Sequence, residues 1–294
     1  MSPATSRRPA IVMVTIVIVL VALFVGGAGM LRWISSQWST PAPTPDVRCE
    51  ALVNATTVDL TIEQARNASI IAGIAAQRGL VPRAVSIALA TAFQESGIRN
   101  LDYGDRDSLG MFQQRPSMGW GTPDQVMDPY YSTGKFFDVM VTVDDWQDSD
   151  IGDVAQEVQR SGFPDAYDQH VAQARILASA LSGETPAAWS CVVSDPAPAD
   201  PSHLMDAMDQ AYGSSIDTTV IPGTSSTAAT MTVVASSEAV AWSAAAFAQS
   251  WATSVGVTSV QVGPSRWTAS SSVLSGWVAT PDAVGAPTVV TITF

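Results

Sequence analysis

The sequence predicts a mainly α-helical domain followed by a small α+β domain, both behind one N-terminal transmembrane helix. Three observations predict this fold class: an uncharged run over residues 10–31, helix-capping residues around two apolar periodic stretches between residues 61 and 97, and strand-like alternation that begins only near residue 230. With 294 residues, the chain is long enough for two domains and an anchor.

The N-terminal run is long enough to cross a membrane. Residues 10–31 form an uncharged stretch of about 22 residues, and about 20 suffice to span the hydrocarbon core as a helix. Arg7 and Arg8 precede this stretch, so the positive-inside bias keeps the tail in the cytoplasm and exports the rest. The alternative is a cleaved signal peptide, since small residues occupy positions 26–29. The expected location is therefore the cell membrane, single-pass with extracellular domains, or the secreted fraction.

Two proline-rich polar stretches predict the domain boundaries. Their composition favours extended linkers over packed structure. The predicted segments are a cytoplasmic tail and anchor (1–34), a linker (35–48), a mainly α domain (49–191), a second linker (192–202) and a small α+β domain of unassigned role (203–294).

The exported part is strongly acidic. After residue 33 it contains eleven of the fourteen Lys and Arg residues but all 27 Asp and Glu residues, which gives a formal charge of −16. Nucleic acid binding requires a basic surface, so we expect no nucleic acid partner.

The two cysteines, Cys49 and Cys191, predict one disulfide that encloses the first domain, because exported proteins oxidise paired thiols. The alternative is a metal site, but the chain has only two histidines and neither cysteine has a ligand neighbour at zinc spacing. A calcium loop that starts at Asp148 would need glutamate at its twelfth position, where Gln159 stands. We therefore expect neither a metal nor a cofactor.

Capping residues define the helices of the first domain. Thr61 and Gln64 form a capping box ahead of an apolar periodic run. Pro82 suits the first position of the next helix and Gly97 its end, which places Glu95 in the last turn. The acidic run near residue 150 is interpreted in the same way, as the capped start of a later helix.

The C-terminal domain is predicted to layer helices on a sheet. Helical patterns cover residues 204–212 and 236–255, and alternating apolar residues predict strands at 230–236, 257–263 and 287–294. The domain has no cluster of acids or cysteines and no glycine-rich phosphate loop. We expect a binding or assembly module whose partner is an envelope protein.

Glu95 is the first candidate for chemistry. Its helix face contains the small residues Ala84, Ala88, Thr91 and Ala92, so burial and the helix C-terminus should both raise its pKa. A protonated carboxyl group is what glycosidic cleavage needs as its general acid. The alternative is a glutamate that only ends a surface helix.

The surroundings of Glu95 favour catalysis. Glu95-Ser96, then Gly104-Asp105-Arg106 and Gly110-Met111-Phe112-Gln113, resemble in type and order the lysozyme-like superfamily, in particular soluble lytic transglycosylases and goose-type lysozymes. The resemblance is clearest from Glu95 to Pro116 and fades into a helical pattern near Leu181, about a third of the chain. It implies a lysozyme-like fold for the first domain.

The resemblance also implies roles for these residues. Glu95 is expected to protonate the oxygen between N-acetylmuramic acid and N-acetylglucosamine in peptidoglycan, and then to act as base. Ser96 and Gln113 are expected to position Glu95 and the acetamido group of the sugar, with Met111 and Phe112 in the facing wall. The alternative for Ser96 and Gln113 is hydrogen bonding at a helix end and a turn.

Asp105 leaves the reaction outcome open. In goose-type lysozymes an aspartate in a similar Gly-Asp-Arg segment helps to place a water molecule, which leads to hydrolysis with inversion. Two carboxyl groups about 6.5 to 9.5 Å apart leave room for that water. Asp102 and Asp107 compete for the same role, and a solvated loop is the alternative for all three.

The tyrosine that binds the catalytic glutamate in this family has two candidate equivalents, Gln159 and Tyr167, because neither surrounding segment matches the Ala-Tyr-Asn pattern in full. Of these, Tyr167 is favoured. Four further aromatic residues are candidate stacking platforms for sugar rings, with core packing as the alternative: Trp120, Tyr130, Tyr131 and Trp146.

The predicted function is a peptidoglycan lytic transglycosylase that acts on glycan strands outside the cytoplasmic membrane. The alternatives are a hydrolytic muramidase that uses Glu95 and Asp105, and a non-catalytic wall-binding scaffold of an envelope machine.

Overall fold

The computed structural model describes residues 48–161, 164–280 and 285–294. They all belong to one compact unit. The predicted transmembrane run 10–31 lies outside the described residues. Among those that are described, no helix combines the length and the apolar character needed to cross a membrane.

Eight α-helices are present in the described part of the chain. They are α1 (Ile62–Gln77), α2 (Pro82–Ser96), α3 (Pro123–Met127), α4 (Pro129–Met140), α5 (Ile151–Gln159), α6 (Asp168–Leu181), α7 (Pro201–Tyr212) and α8 (Glu238–Val255). Short 3-10 helices lie at Pro116–Met118, Pro164–Ala166 and Gly213–Ser215.

The strands form two antiparallel sheets. They are β1 (Arg48–Val53), β2 (Thr56–Thr61), β3 (Trp189–Cys191), β4 (Ile216–Ile221), β5 (Thr230–Ala235), β6 (Ser259–Val262), β7 (Ser265–Thr268), β8 (Val278–Ala279) and β9 (Val289–Thr293). The first sheet has the order β2-β1-β3, and the second has the order β4-β5-β9-β6-β7-β8.

The predicted fold class is wrong. A mainly α domain followed by a small α+β domain, behind a transmembrane helix, was expected, whereas the described residues mix helices with two antiparallel sheets. The segment expected to be mainly helical starts with the hairpin β1–β2 and ends with β3. The hairpin turn consists of Asn54 and Ala55, both with positive φ, of 49° and 61°. Positive φ at both central residues is typical of two-residue hairpin turns, but Asn-Ala is a weaker sequence signal than Asn-Gly.

The second sheet is larger than predicted. The three expected strands correspond to β5, β6 and β9, which are neighbours in the sheet in the order β5-β9-β6. The three others, β4, β7 and β8, lie toward the edges of the sheet, where outward-facing residues are polar or exposed and the apolar alternation is short. Helices α7 and α8 confirm the two helical patterns predicted for this part.

The predicted start of α5 near residue 150 is confirmed, but Asp150 before it forms no side-chain cap hydrogen bond. The predicted caps of the first two helices are confirmed. Thr61 and Gln64 form a reciprocal capping box on α1, and Pro82 is the first residue of α2. The disulfide between Cys49 and Cys191 is also confirmed, and it joins directly opposite positions of β1 and β3 with a Cα–Cα distance of 3.9 Å. The disulfide therefore closes the first sheet at the boundary of the segment that carries Glu95.

A single hydrophobic core runs through the described residues. Helix α8 packs against both α1 and the second sheet, and α7 packs on α1. A side chain at Gly73 of α1 would lie 2.8 Å from the Cβ atom of Ala211 in α7. The two regions on either side of residues 192–202 thus share their interior.

Candidate active site

Glu95 lies in the last turn of α2, half-buried at the edge of the core. Gly97 ends the helix in the left-handed conformation, with φ of 65°, which glycine adopts without strain. On the same helix face, Ala88 and Ala92 are fully buried. The apolar face of α2 packs in the core, and this packing places the Glu95 carboxyl group at the surface of the core.

Tyr167 fixes the orientation of the Glu95 carboxyl group. Its hydroxyl donates to Glu95 Oε1 at 2.6 Å, and its side chain is fully buried. Tyr167 directly precedes α6, which packs along α2. This packing brings together two residues that lie 72 positions apart in the sequence.

Burial raises the pKa of the Glu95 carboxyl above its ordinary value of 4.5, and hydrogen bonds from Tyr167 and Gln159 lower it in part. Burial is the larger effect, so the net direction is upward. Burial also raises the pKa of the Tyr167 hydroxyl, and the neighbouring carboxylate adds to the rise. The site thus pairs a carboxyl group that holds its proton more tightly than usual with a neutral hydroxyl donor.

Gln159, the other candidate for the tyrosine position, binds the facing segment. Its Nε2 donates to the carbonyl of Phe112 at 2.7 Å, and the same amide contributes to the pKa of Glu95. Tyr167 and Gln159 therefore both lie next to Glu95. Tyr167 donates to the Glu95 carboxyl group, whereas Gln159 donates to the backbone of the facing segment.

Ser96 joins the end of α2 to the same segment. Its hydroxyl donates to the Met111 carbonyl at 2.7 Å and accepts from the backbone N–H of Arg99 at 3.1 Å. Ser96 is 5 % exposed, so its hydrogen bonds are used within the protein. The Ser96 hydroxyl therefore binds the backbone of the facing segment, and it can position Glu95 only by fixing the end of α2.

The side chains of Met111 and Phe112 are fully buried. Phe112 stacks on Phe136 of α4, with ring centroids 4.6 Å apart. Their side chains pack in the core, and their carbonyl groups receive the bonds from Ser96 and Gln159. The segment that was expected to form the facing wall is therefore anchored by these two buried side chains, and its backbone carbonyl groups face Ser96 and Gln159.

Gln113 is the half-buried polar side chain of this segment. Its Nε2 donates to the carbonyls of Tyr103 and Gly110 at 3.3 and 3.2 Å. Gly104 lies against it so closely that an added Cβ atom would be 1.9 Å from Gln113 Oε1 and 2.7 Å from the Ser108 carbonyl. Glycine at position 104 therefore allows the loop to close over the amide of Gln113.

The three aspartates of the loop differ in their surroundings. The side chain of Asp105 is 90 % exposed and forms only a long ion pair, at 3.8 Å, with Arg106. Asp107 accepts from Arg115 Nε and from the backbone N–H of Ser117, each at 2.8 Å, and these bonds hold its pKa well below the usual range. Asp107 thus organises the loop, whereas the carboxylate of Asp105 points into solvent.

A polar network at Gln94, the neighbour of Glu95, was not predicted from the sequence. Gln94 Oε1 lies 3.0 Å from Gln169 Nε2 and 3.1 Å from His170 Nε2, and Gln173 Nε2 lies 2.9 Å from His170 Nδ1. Burial lowers the pKa of His170, which favours the neutral ring that this pattern of one donor and one acceptor requires. The signal in the sequence is the three-residue spacing of His170 and Gln173 on α6, which places both side chains on one helix face.

The predicted aromatic platforms are all half-buried, and part of each contacts other residues. Tyr131, for example, packs so closely on Gly121 that a Cβ atom there would lie 2.8 Å from its hydroxyl. The more exposed ring is one that the sequence analysis did not single out: Tyr103, 65 % exposed, on the loop that holds Gln113.

No group of three or more His, Cys, Asp or Glu side chains is placed to hold a metal ion within the described ranges. In the comparisons with known proteins, no protein-family model matches this chain and no curated protein matches it either.

Proposed function

We propose that this chain cleaves the glycan strands of peptidoglycan with Glu95 as general acid and base, most simply as a lytic transglycosylase. The observation that carries the proposal is the half-buried Glu95 carboxyl group, with a raised pKa and a tyrosine hydroxyl bound to one oxygen. The motif resemblance from Glu95 to Pro116 supports the choice of substrate.

The contacts of Glu95 suit a proton donor. Tyr167 donates a hydrogen bond to Oε1. A protonated carboxyl group can still accept this bond through its carbonyl oxygen, so Oε2 can carry the proton. That proton passes to the glycosidic oxygen as the bond from C1 of the muramoyl residue breaks. The remaining carboxylate keeps the hydrogen bond from Tyr167, which stabilises the negative charge.

The same carboxylate then completes the reaction. It takes the proton of the muramoyl 6-hydroxyl while that oxygen bonds to C1 and closes the 1,6-anhydro ring. Glu95 is protonated again at the end, and no water is consumed. Hydrolysis would differ only in the nucleophile: a water molecule would attack C1, with the exposed carboxylate of Asp105 as its candidate partner.

The test uses purified full-length protein, isolated cell-wall sacculi and mass spectrometry of the released fragments. We expect Glu95→Gln to lower release by at least about a hundredfold, because an amide cannot donate the proton. Glu157→Gln, an exposed glutamate of α5, serves as the matched control and should release fragments like the wild type.

The mass of the products separates the reaction types. Glutamate-dependent products one water lighter than ordinary muropeptides support the transglycosylase. Glutamate-dependent products of full hydrated mass support a muramidase and contradict ring closure. Equal release by the wild type and by Glu95→Gln contradicts the role of Glu95, and glycan binding without release supports the wall-binding scaffold instead.

A further inference from the structure

A cleft of about 500 Å³ lies at the other end of α2 from Glu95. It is bounded by the β1–β2 turn, the first turns of α2 and α5, the middle of α6 and the segment after α6. Pro82 in this cleft and Glu95 are separated by most of the length of α2, about 20 Å at 1.5 Å per residue. The cleft is therefore a site separate from the candidate catalytic carboxyl group.

The cleft carries opposite charges that have no partners among the described residues. Arg175, on α6, and Glu184, after α6, are both exposed and line the cleft. Neither forms an ion pair with another described residue, and they do not pair with each other. A guanidinium and a carboxylate in one cleft can each receive a complementary charged group of a ligand.

A second guanidinium makes the lining more positive than negative. Arg83 Nε donates to the Trp146 carbonyl at 3.1 Å, and its Nη2 donates to the Ser149 carbonyl. These bonds to neutral carbonyls fix the side chain of Arg83 but leave its charge uncompensated. In a chain with a formal charge of −13, this cleft is thus lined by two cations and one anion.

The remaining lining is largely aliphatic. Val53, Val81, Ile151 and Ile176 contribute apolar surface between the charged groups. A volume of about 500 Å³ lies within the usual range of about 300 to 1,000 Å³ for small-ligand sites. The ligand that matches this lining is a short peptide with small apolar side chains, at least one carboxylate and one free amine.

We propose that this cleft binds the peptide that substitutes the glycan strands of the cell wall, with a peptide carboxylate on Arg175 and a peptide amine on Glu184. The choice of the wall as the source of the peptide rests on the proposed function. The site would hold peptide-bearing wall material on the protein while Glu95, at the far end of α2, acts on glycan.

Binding of a soluble probe tests the site directly. The probe is wall peptide detached from purified sacculi and titrated calorimetrically into full-length protein, in its native form, with its amine acetylated or with its carboxylates amidated. We expect Arg175→Ala to weaken binding of the native peptide at least about tenfold, because a charge-assisted hydrogen bond is lost. Glu184→Gln should weaken the native peptide but leave the acetylated one unchanged.

Arg266→Ala is the matched control, since Arg266 is an exposed arginine of the second sheet that binds Gln261. This variant should bind the native peptide like the wild type. The proposal is overturned if the wild type binds no peptide, if Arg175→Ala binds as well as the wild type, or if Arg266→Ala weakens binding as much as Arg175→Ala does.

Cleavage assays keep this proposal separate from the proposed function. Arg175→Ala should slow release from peptide-bearing sacculi but cleave peptide-free glycan strands at the wild-type rate, whereas Glu95→Gln should cleave neither. Peptide binding through Arg175 in a chain that cleaves no glycan would refute the enzyme and support the cleft. Glu95-dependent cleavage without peptide binding would refute the cleft alone.

Discussion

At the scale of single residues, the chemistry depends on two effects that oppose each other at Glu95. Burial at the end of α2 raises the pKa of its carboxyl group, and the hydroxyl of Tyr167 stabilises the carboxylate once the proton has left. A general acid that must later act as base needs both, since either effect alone would favour one protonation state throughout.

The raised pKa makes the stability of the protein depend on pH. A carboxyl group whose folded pKa lies above its unfolded value stabilises the fold fully below the unfolded pKa, near 4.5, and this contribution is lost as pH rises through the folded pKa. Glu95→Gln has no proton to lose. We therefore expect the free energy of unfolding of Glu95→Gln to increase relative to the wild type between about pH 3.5 and about pH 8.

Urea unfolding of both proteins at the two pH values measures this difference. The comparison at the lower pH serves as the control, because Glu95 is then protonated and the two side chains differ only in packing and hydrogen bonding. A difference in unfolding free energy that stays constant with pH would mean that ionisation of Glu95 costs no more in the folded state than in the unfolded state.

At the scale of elements, the candidate site lies where the end of α2 contacts residues 110–113. The hydroxyl of Ser96 connects the two segments through its hydrogen bond to the Met111 carbonyl. We expect Ser96→Ala to lower the free energy of unfolding by about 1 to 3 kcal/mol, because the buried Met111 carbonyl and the Arg99 N–H lose their partner. Glycan cleavage should fall as well, since the facing segment is no longer held against the helix end.

Ser69→Ala in α1 is the control. Ser69 is buried as deeply, but its hydroxyl bonds only to the Arg66 carbonyl one turn earlier, at 2.8 Å. Its removal should cost less than about 1 kcal/mol. Thermal unfolding and sacculus cleavage of both variants measure the effect. Equal losses of stability and of cleavage in the two variants would contradict the role of Ser96 in holding residues 110–113 against α2.

The elements that sequence reasoning predicted are those with local signals. The capping box of Thr61 and Gln64 and the proline that starts α2 act over three or four residues, so the sequence alone reveals them. Strand β3 has no such signal: its three residues become a strand because Cys49 and Cys191 lie opposite each other across 142 positions. Pairing at that distance depends on the whole fold.

The same distinction applies within the site. Glu95 could be singled out from its helix position and its neighbours. The burial of Met111 and Phe112 could not, because it depends on Phe136, which α4 supplies from a later segment. The bond from Tyr167 to Glu95 likewise depends on how α6 packs along α2, and only the resemblance to a known family suggested it.

At the scale of the whole molecule, α8 connects the two regions that composition separates. Thirteen of its eighteen residues are buried, more than one face against its own sheet would need. Its Ser250 accepts from Trp189 Nε1 in β3 at 3.1 Å, and its Ser254 accepts from Arg66 Nη1 in α1 at 3.0 Å. The proline-rich stretch 192–202 therefore links two parts of one interior.

We accordingly expect a fragment of residues 45–196 not to fold independently, although it contains Glu95, Tyr167 and the disulfide. Without α8, the buried face of α1 and the ring of Trp189 would be exposed to water, and their apolar surface would no longer stabilise the fold. Far-UV circular dichroism with thermal unfolding, compared with residues 45–294 as the control, measures this. Cooperative unfolding of the shorter fragment would show that the first region has a self-sufficient core, since a fragment that lacks part of its core unfolds without a sharp transition.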